Sequence, residues 1–252
     1  NGFEPPGHFY LSVAVDPAAR GQGIGGRLYA ALTAAARHMA AARLVARVRD
    51  DEPDSLAFAQ RRGFALHHHL FTSVLDLQAF DERPFAHLPA AVAAAGMRLT
   101  TLAAEGDTPA ARRQLYDLNH TTHLDNPAAD GTFPDFDSFN EMFNTASWFR
   151  PEAQFLAFDG DRAVGLAAVG YFAHTNSLYH FMTGVDRAYR GRQIAAALKL
   201  RTIQYGRALG ADYMRTDNDS RNAAMLAINR RFGYRPRGGS YWLHKEPVDE
   251  TV

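Results

Sequence analysis

Two hexapeptides carry the residue types suited to holding a phosphate: Arg20-Gly21-Gln22-Gly23-Ile24-Gly25 and Arg190-Gly191-Arg192-Gln193-Ile194-Ala195. Each follows an alternating, strand-like run and precedes an Ala- and Leu-rich helical one. A helix starting just after such a loop leaves its first N–H groups without partners, and glycines let an anion approach them closely. The two segments share a gapless offset of 170, from Val15/Val185 through Arg20/Arg190 and Leu28/Leu198 to Gly63/Gly233. A register held that far marks duplication of a whole strand–loop–helix–strand–helix unit. Neither loop ends in the Gly-Lys-Ser/Thr of a P-loop, so neither offers a lysine for a γ-phosphate or a hydroxyl for Mg²⁺.

Other chemistry-bearing residues are more scattered. His120, His123 and Asp125 gather at one helix end, and the histidine spacing fits one helix face. A closed ligand set needs more than this, and no metal is expected. Asp130, Asp135, Asp137 and Glu141 make the following region acidic; it would attract a cationic amine, and a solvated acidic loop reads the same way. His67-His68-His69 falls on a strand, where neighbours point to opposite faces, so the three cannot bind one ion and are read as mostly exposed. Trp148, Phe149 and Trp242 read as packing residues or as the wall of a cleft.

The elements that must position these residues follow from periodicity and punctuation. Strands are expected at 9–15, 43–48, 65–77, 97–103, 154–158, 163–172, 177–185, 212–216 and 234–244. Helices are expected at 23–42, 55–62, 108–124, 137–145, 193–209 and 221–232, with a connecting helix within 81–96. Asp137 is a candidate N-cap, and Asp159-Gly160-Asp161 reads as a hairpin turn. The boundaries read as 1–78 for a first domain, 79–97 for a linker helix, 98–247 for a second domain and 248–252 for a tail. The second domain runs β-α-α-β-β-β-α-β-α-β, an α+β arrangement around one mixed sheet. The first copy has almost nothing before its motif, and the chain starts at Asn1, so that copy is expected to be incomplete at its N-terminus.

The 252 residues are 46% apolar and 21% charged, as in a soluble globular protein. Net charge is zero, which gives no support to nucleic acid or an anionic membrane as partner. Cysteine is absent, which excludes a disulfide scaffold, a thiolate metal site and a cysteine nucleophile, and fits a reducing, cytoplasmic setting. No apolar run is long enough to span a bilayer as a helix. Lys199 and Lys245 are the only lysines.

With the motif placed between strand and helix, and repeated, the chain resembles the GNAT family of acyl-CoA-dependent acyltransferases. The family signature is Gln/Arg-x-x-Gly-x-Gly/Ala. The first loop matches it in full, and the second has Gln193 where glycine is usual. The doubled layout is similar to tandem GNAT proteins of the mycothiol synthase type. The resemblance implies acetyl-CoA, or another acyl-CoA, as co-substrate, with its pyrophosphate on residues 20–25 or 190–195. Its pantetheine arm would lie along Val13 and Val15, or along Thr183 and Val185. Gln193 keeps the N–H donor provided its φ stays negative. Family members often carry an Asn in the next helix and a Tyr seven residues later that protonates the thiolate. Asn222 matches the first, Asn229 stands in the place of the second, and the first copy has Glu52 and Ala59 there. A general base is expected near Tyr179 and His180; for His180 a packed strand residue is the plainer reading. His120 and His123 would line the acceptor pocket.

The implied activity is N-acyl transfer to a small-molecule or peptide amine by direct attack, with catalysis in the second domain. The alternative is an acyl-CoA-binding protein without turnover, motivated by the missing Tyr and by Gln193. A tRNA-dependent acyltransferase is disfavoured by the lack of basic excess. The chain is expected as a monomer of pseudo-dimeric domains or as a homodimer.

Overall fold

The computed structural model describes residues 7–127, 129 and 131–246. Asp130 and the tail at 248–252 lie outside them. In chain order the elements are β1 (His8–Leu11), α1 (Ile24–His38), β2 (Arg43–Arg49), α2 (Pro53–Gln60), β3 (Ala65–Asp76), α3 (Leu88–Ala94), β4 (Met97–Thr101), α4 (Pro109–His123), α5 (Phe136–Thr145), β5 (Gln154–Asp159), β6 (Arg162–Phe172), β7 (Ser177–Val185), α6 (Ile194–Ala208), β8 (Tyr213–Asp219), α7 (Ala223–Arg231) and β9 (Arg235–Lys245). The mixed α/β architecture is the one expected.

The chain forms two compact units. The first comprises the residues up to Phe71, Asp219–Arg221 and the residues from Gly238 on. Its strand order is β1-β2-β9-β3. β1 pairs in parallel with β2 from His8/Arg43 to Leu11/Ala46, and β2 pairs antiparallel with β9 from Leu44/Lys245 to Arg49/Ser240. Gly239 lets β9 approach β3: a Cβ there would overlap the Leu70 carbonyl oxygen. The core of this unit is Ala36, Leu44, Ala59, Phe64 and Leu243.

The second unit comprises Thr72–Asn218 and Asn222–Arg237, with strand order β3-β8-β7-β6-β5-β4. Helices α4 and α5 cover one apolar cluster, and α3 and α6 belong to the other. Gly184 lets α4 lie on β7, since any Cβ would run into Thr122. Between Ala168 and Val169 the β6–β7 register shifts by one residue, leaving Phe181 as a bulge. Bulges bend a strand, and β7 pairs with β8 only from Ser177/Tyr213 to Tyr179/Arg215.

Three details differ from the sequence reading. Boundaries drawn along the chain miss that β3 and β9 each divide between the units, because strand length reveals nothing of which neighbour a strand pairs with. The segment expected as a linker is part of the second unit's core, where Phe80, Phe85, Leu88 and Val92 are buried. The N-cap of α5 is Asp135, which accepts from the Ser138 N–H at 2.8 Å, rather than Asp137, which sits in the first turn.

Candidate functional site

The first loop is shaped by its own short-range contacts. Asp16 accepts from the Ala18 N–H at 2.8 Å, and the Arg20 Nε–H donates to the Val15 carbonyl at 3.2 Å. Gly21 and Gly23 hold φ of 78° and 77°, a region that favours glycine. Gly23 is the N-cap of α1 and offers no side-chain cap, so the first turn of α1 presents its N–H groups outward. The expected strand 9–15 pairs only as far as Leu11, and Ser12–Val15 run on beyond the last β1–β2 pair.

Against this loop lies a cleft of about 740 Å³, lined by 11–15, the loop, Ala46–Arg49 of β2 and residues of α2. Val13, Val15, Arg20, Gly21, Gly23, Ile24 and Gly25 are all in its wall, whereas Gln22 is not. Five arginines (Arg20, Arg47, Arg49, Arg61, Arg62) face two carboxylates (Glu52, Asp54) there; Arg49 is paired with Asp51, and the remaining excess of positive charge favours a polyanion. The Arg62 guanidinium lies 3.4 Å over the Phe58 ring and donates to the Phe58 carbonyl at 3.0 Å. Glu52 accepts from the Ser55 hydroxyl at 2.9 Å. Arg61 lies in the duplicated register, opposite Arg231; Tyr29, Phe58 and Arg62 were not singled out from the sequence.

The second loop repeats this backbone. The Ala188 N–H donates to Asp186 at 2.9 Å, the Arg190 Nε–H to the Val185 carbonyl at 3.2 Å, and Gly191 has φ 79°. Gln193 has φ 62°, so the proviso of a negative φ is not met. It takes the left-handed conformation of Gly23 because the α6 N-terminus requires the same turn, at a cost of about 1–2 kcal/mol for a residue with a Cβ. Thr183, Arg192, Ile194 and Ala195 keep the places that the duplication gives them, and Ile194 is buried.

Two things set the second loop apart. First, Asp125 is hydrogen-bonded to both Arg187 and Arg190. Arg187, then Arg190, holds its carboxyl below the usual carboxylate range. Among the described residues no carboxylate pairs with Arg20, and Pro17 stands where the second copy has Arg187. Second, polar side chains fill the interior behind the loop. His180 is buried, with Nε2 2.6 Å from the Thr183 hydroxyl and Nδ1 without a partner among the described residues. Burial, then Lys199, pushes the imidazole well below its ordinary range. Lys199 is buried, its Nζ 4.5 Å from the Tyr234 ring centroid, and burial pushes it down to about 7. Asn229 donates to Asn218 at 2.7 Å, and Asn218 donates to Ser73 at 2.9 Å.

The expected catalytic set is therefore only partly brought together. His180 and Asn229 are sealed inside. Asn222 caps α7, accepting from the Met225 N–H at 3.2 Å. Tyr179 donates to Asp217 at 2.8 Å, and burial, then that carboxylate, raises its phenol. A phenol so held keeps its proton at neutral pH. His120 and His123 pack on Phe133, each with a ring separation of 5.1 Å, and Asp125, the third member of that cluster, faces the arginines instead.

The histidine run is less exposed than expected, because rings of β9 lie on it. In the first unit His67 stacks on His244 at 4.0 Å, His68 on Trp242 at 5.6 Å, and His69 meets Asp50 at 2.9 Å. Burial, then His67 and Arg43, pushes His244 down to about 4, and burial and Arg221 lower His67. A lowered folded pKa means that the unfolded chain takes up protons first as pH falls. The first unit is expected to lose stability from about pH 6.5 down to about pH 4. His244→Phe should flatten that loss; denaturant titration across this range reads it, and an unchanged slope would remove His244 as its cause.

Comparison with known proteins follows this geometry. A family model described as "Acetyltransferase (GNAT) family" matches residues 1–64 and 112–234. A GCN5-related N-acetyltransferase from Sphaerobacter thermophilus superposes with TM-score 0.65 at 21% identity, over 92% of this chain and 70% of that one. A tandem GNAT protein from the clavulanic acid biosynthesis pathway gives 0.60 at 23% identity, over 94% and 74%. A glucosamine N-acetyltransferase region in a fungal multi-domain GH3 β-N-acetylglucosaminidase gives 0.68 at 15% identity, over 94% of this chain and 30% of that one. At these identities the likeness is one of fold. No curated relative matches by sequence.

Proposed function

The chain belongs to the GNAT acetyltransferase family, and on that premise we propose that it transfers an acyl group from acyl-CoA to an amine, with the acyl-CoA held by the first loop. The observation that carries this reading is the cleft of about 740 Å³ that opens against Arg20–Gly25. That volume falls within the range of small-molecule sites, roughly 300–1,000 Å³. The sequence alone pointed to the second domain, on Asn222 and its complete fold. The Asp125 clasp and the filled interior behind the second loop favour the first instead.

The residues present fit acyl-CoA. The N–H groups of the loop and of the first turn of α1 receive the pyrophosphate, and Arg20, Arg61 and Arg62 balance its charge. Ser12–Val15, past the last strand pair, offer an open backbone edge to the extended arm. When bound, acyl-CoA supplies an electrophilic thioester and a thiolate leaving group, so no Ser or Cys nucleophile is required. Glu52 and Asp54 are the carboxylates of the cleft wall that can take up the amine proton.

The test is thiol release from acetyl-CoA across a panel of small amines and peptide N-termini. Saturable turnover with at least one amine is expected. Saturable binding with no turnover across the panel would leave the chain as an acyl-CoA-binding protein, and absence of binding would sink both readings.

A further inference from the structure

We propose that the first cleft is built for an acyl group longer than acetyl. This rests on the reading that acyl-CoA binds there. The charged groups come from the loop, from Arg47 and Arg49 of β2 and from the two ends of α2, whereas Leu11, Ala46, Val48, Phe58, Ala59 and Phe64 give the cleft an apolar wall. Several of these belong to the first unit's core cluster, where Leu11, Ala46 and Val48 are only partly buried. Apolar surface left facing a cleft is a gain in waiting for an apolar occupant.

The duplication supplies an internal contrast. The second-copy equivalents of Ala46, Val48 and Ala59 are Thr216, Asn218 and Asn229. There the polar side chains, larger than alanine at two of the three places, bond to one another and to the strands. The first copy has small apolar side chains at these places, and an open cleft. The occupant must also connect to the phosphate-binding loop, since loop and apolar wall line one continuous cleft. An acyl chain on CoA meets both requirements.

Chain length has a limit. Tyr29 lines the cleft, and the Lys245 ammonium donates to its hydroxyl at 3.0 Å and to the Arg62 carbonyl at 2.8 Å. A methyl terminus that reached this polar pair would gain nothing from it.

The experiment is calorimetric titration of the full chain with CoA and with acetyl-, butyryl-, hexanoyl- and palmitoyl-CoA. Affinity should rise from acetyl to hexanoyl, by up to about fourfold per methylene at full burial, and the gain should stop before palmitoyl. Ala59→Leu, which fills the apolar wall, should bring the hexanoyl-to-acetyl affinity ratio toward one. If CoA binds but hexanoyl-CoA binds no tighter than acetyl-CoA, the inference is overturned while the site stands. If CoA itself does not bind, the reading beneath it fails as well.

Discussion

Arg20→Glu is expected to weaken acyl-CoA binding by about 100-fold or more, whereas Arg190→Glu should change it by less than about threefold. Arg20 stands in the wall of the open cleft, and its Nε–H also ties the loop to the Val15 carbonyl. Reversing its charge removes a charge-assisted contact, places a carboxylate beside the phosphates and loosens the loop that aims the N–H groups. Arg190 makes the same backbone bond, but its charge is already met by Asp125. A clasped arginine has less to offer an incoming anion. Calorimetry on both variants, with circular dichroism to confirm folding, reads the difference. Equal losses would show that both loops bind, and loss with Arg190→Glu alone would return the site to the second domain.

The second large effect concerns stability. Lys199→Met is expected to stabilise the second unit at pH 7 by on the order of 4 kcal/mol, raising its melting temperature by roughly 10 °C. Lys199 lies on α6 with 1% of its surface exposed, and burial pushes its amine from 10.5 down to about 7. The unfolded chain keeps the higher value. Between about pH 10.5 and pH 7 the unfolded state binds the extra proton, so stability falls as pH falls, and below 7 the whole penalty is present. Methionine has similar length, no charge to bury and good packing freedom. The wild-type protein should gain stability on going from pH 7 to pH 10, and the variant should lose that part of the gain. A variant less stable than wild type at pH 7 would show that Lys199 has compensating interactions that the burial argument leaves out.

Much of this was legible in the residues. The offset of 170 located both loops, and apolar periodicity located the helices and strands around them, because each is a local property of the chain. Two kinds of fact were not. Asp125 and Arg190 are 65 positions apart, and no local pattern reveals that they meet. Gln193 has a φ of 62° because the helix start demands it, against its own preference, so residue type pointed the wrong way. His180 was a candidate base with a packed strand residue as the plainer reading, and burial places it, with Lys199, in a packed interior. The better-matched signature in the first copy was visible from the start. Its significance depended on the open space beside it, whose wall includes Ala46 and Ala59 where the other copy has Thr216 and Asn229.

A crystal structure of the full chain grown with CoA tests the central claim most directly. The pyrophosphate is expected on the N–H groups of Gly21–Gly25, with the arm running past Ser12–Val15 into the cleft. Pyrophosphate density on Gly191–Ala195, with Asp125 displaced from Arg190 and the first cleft free of CoA, would contradict it.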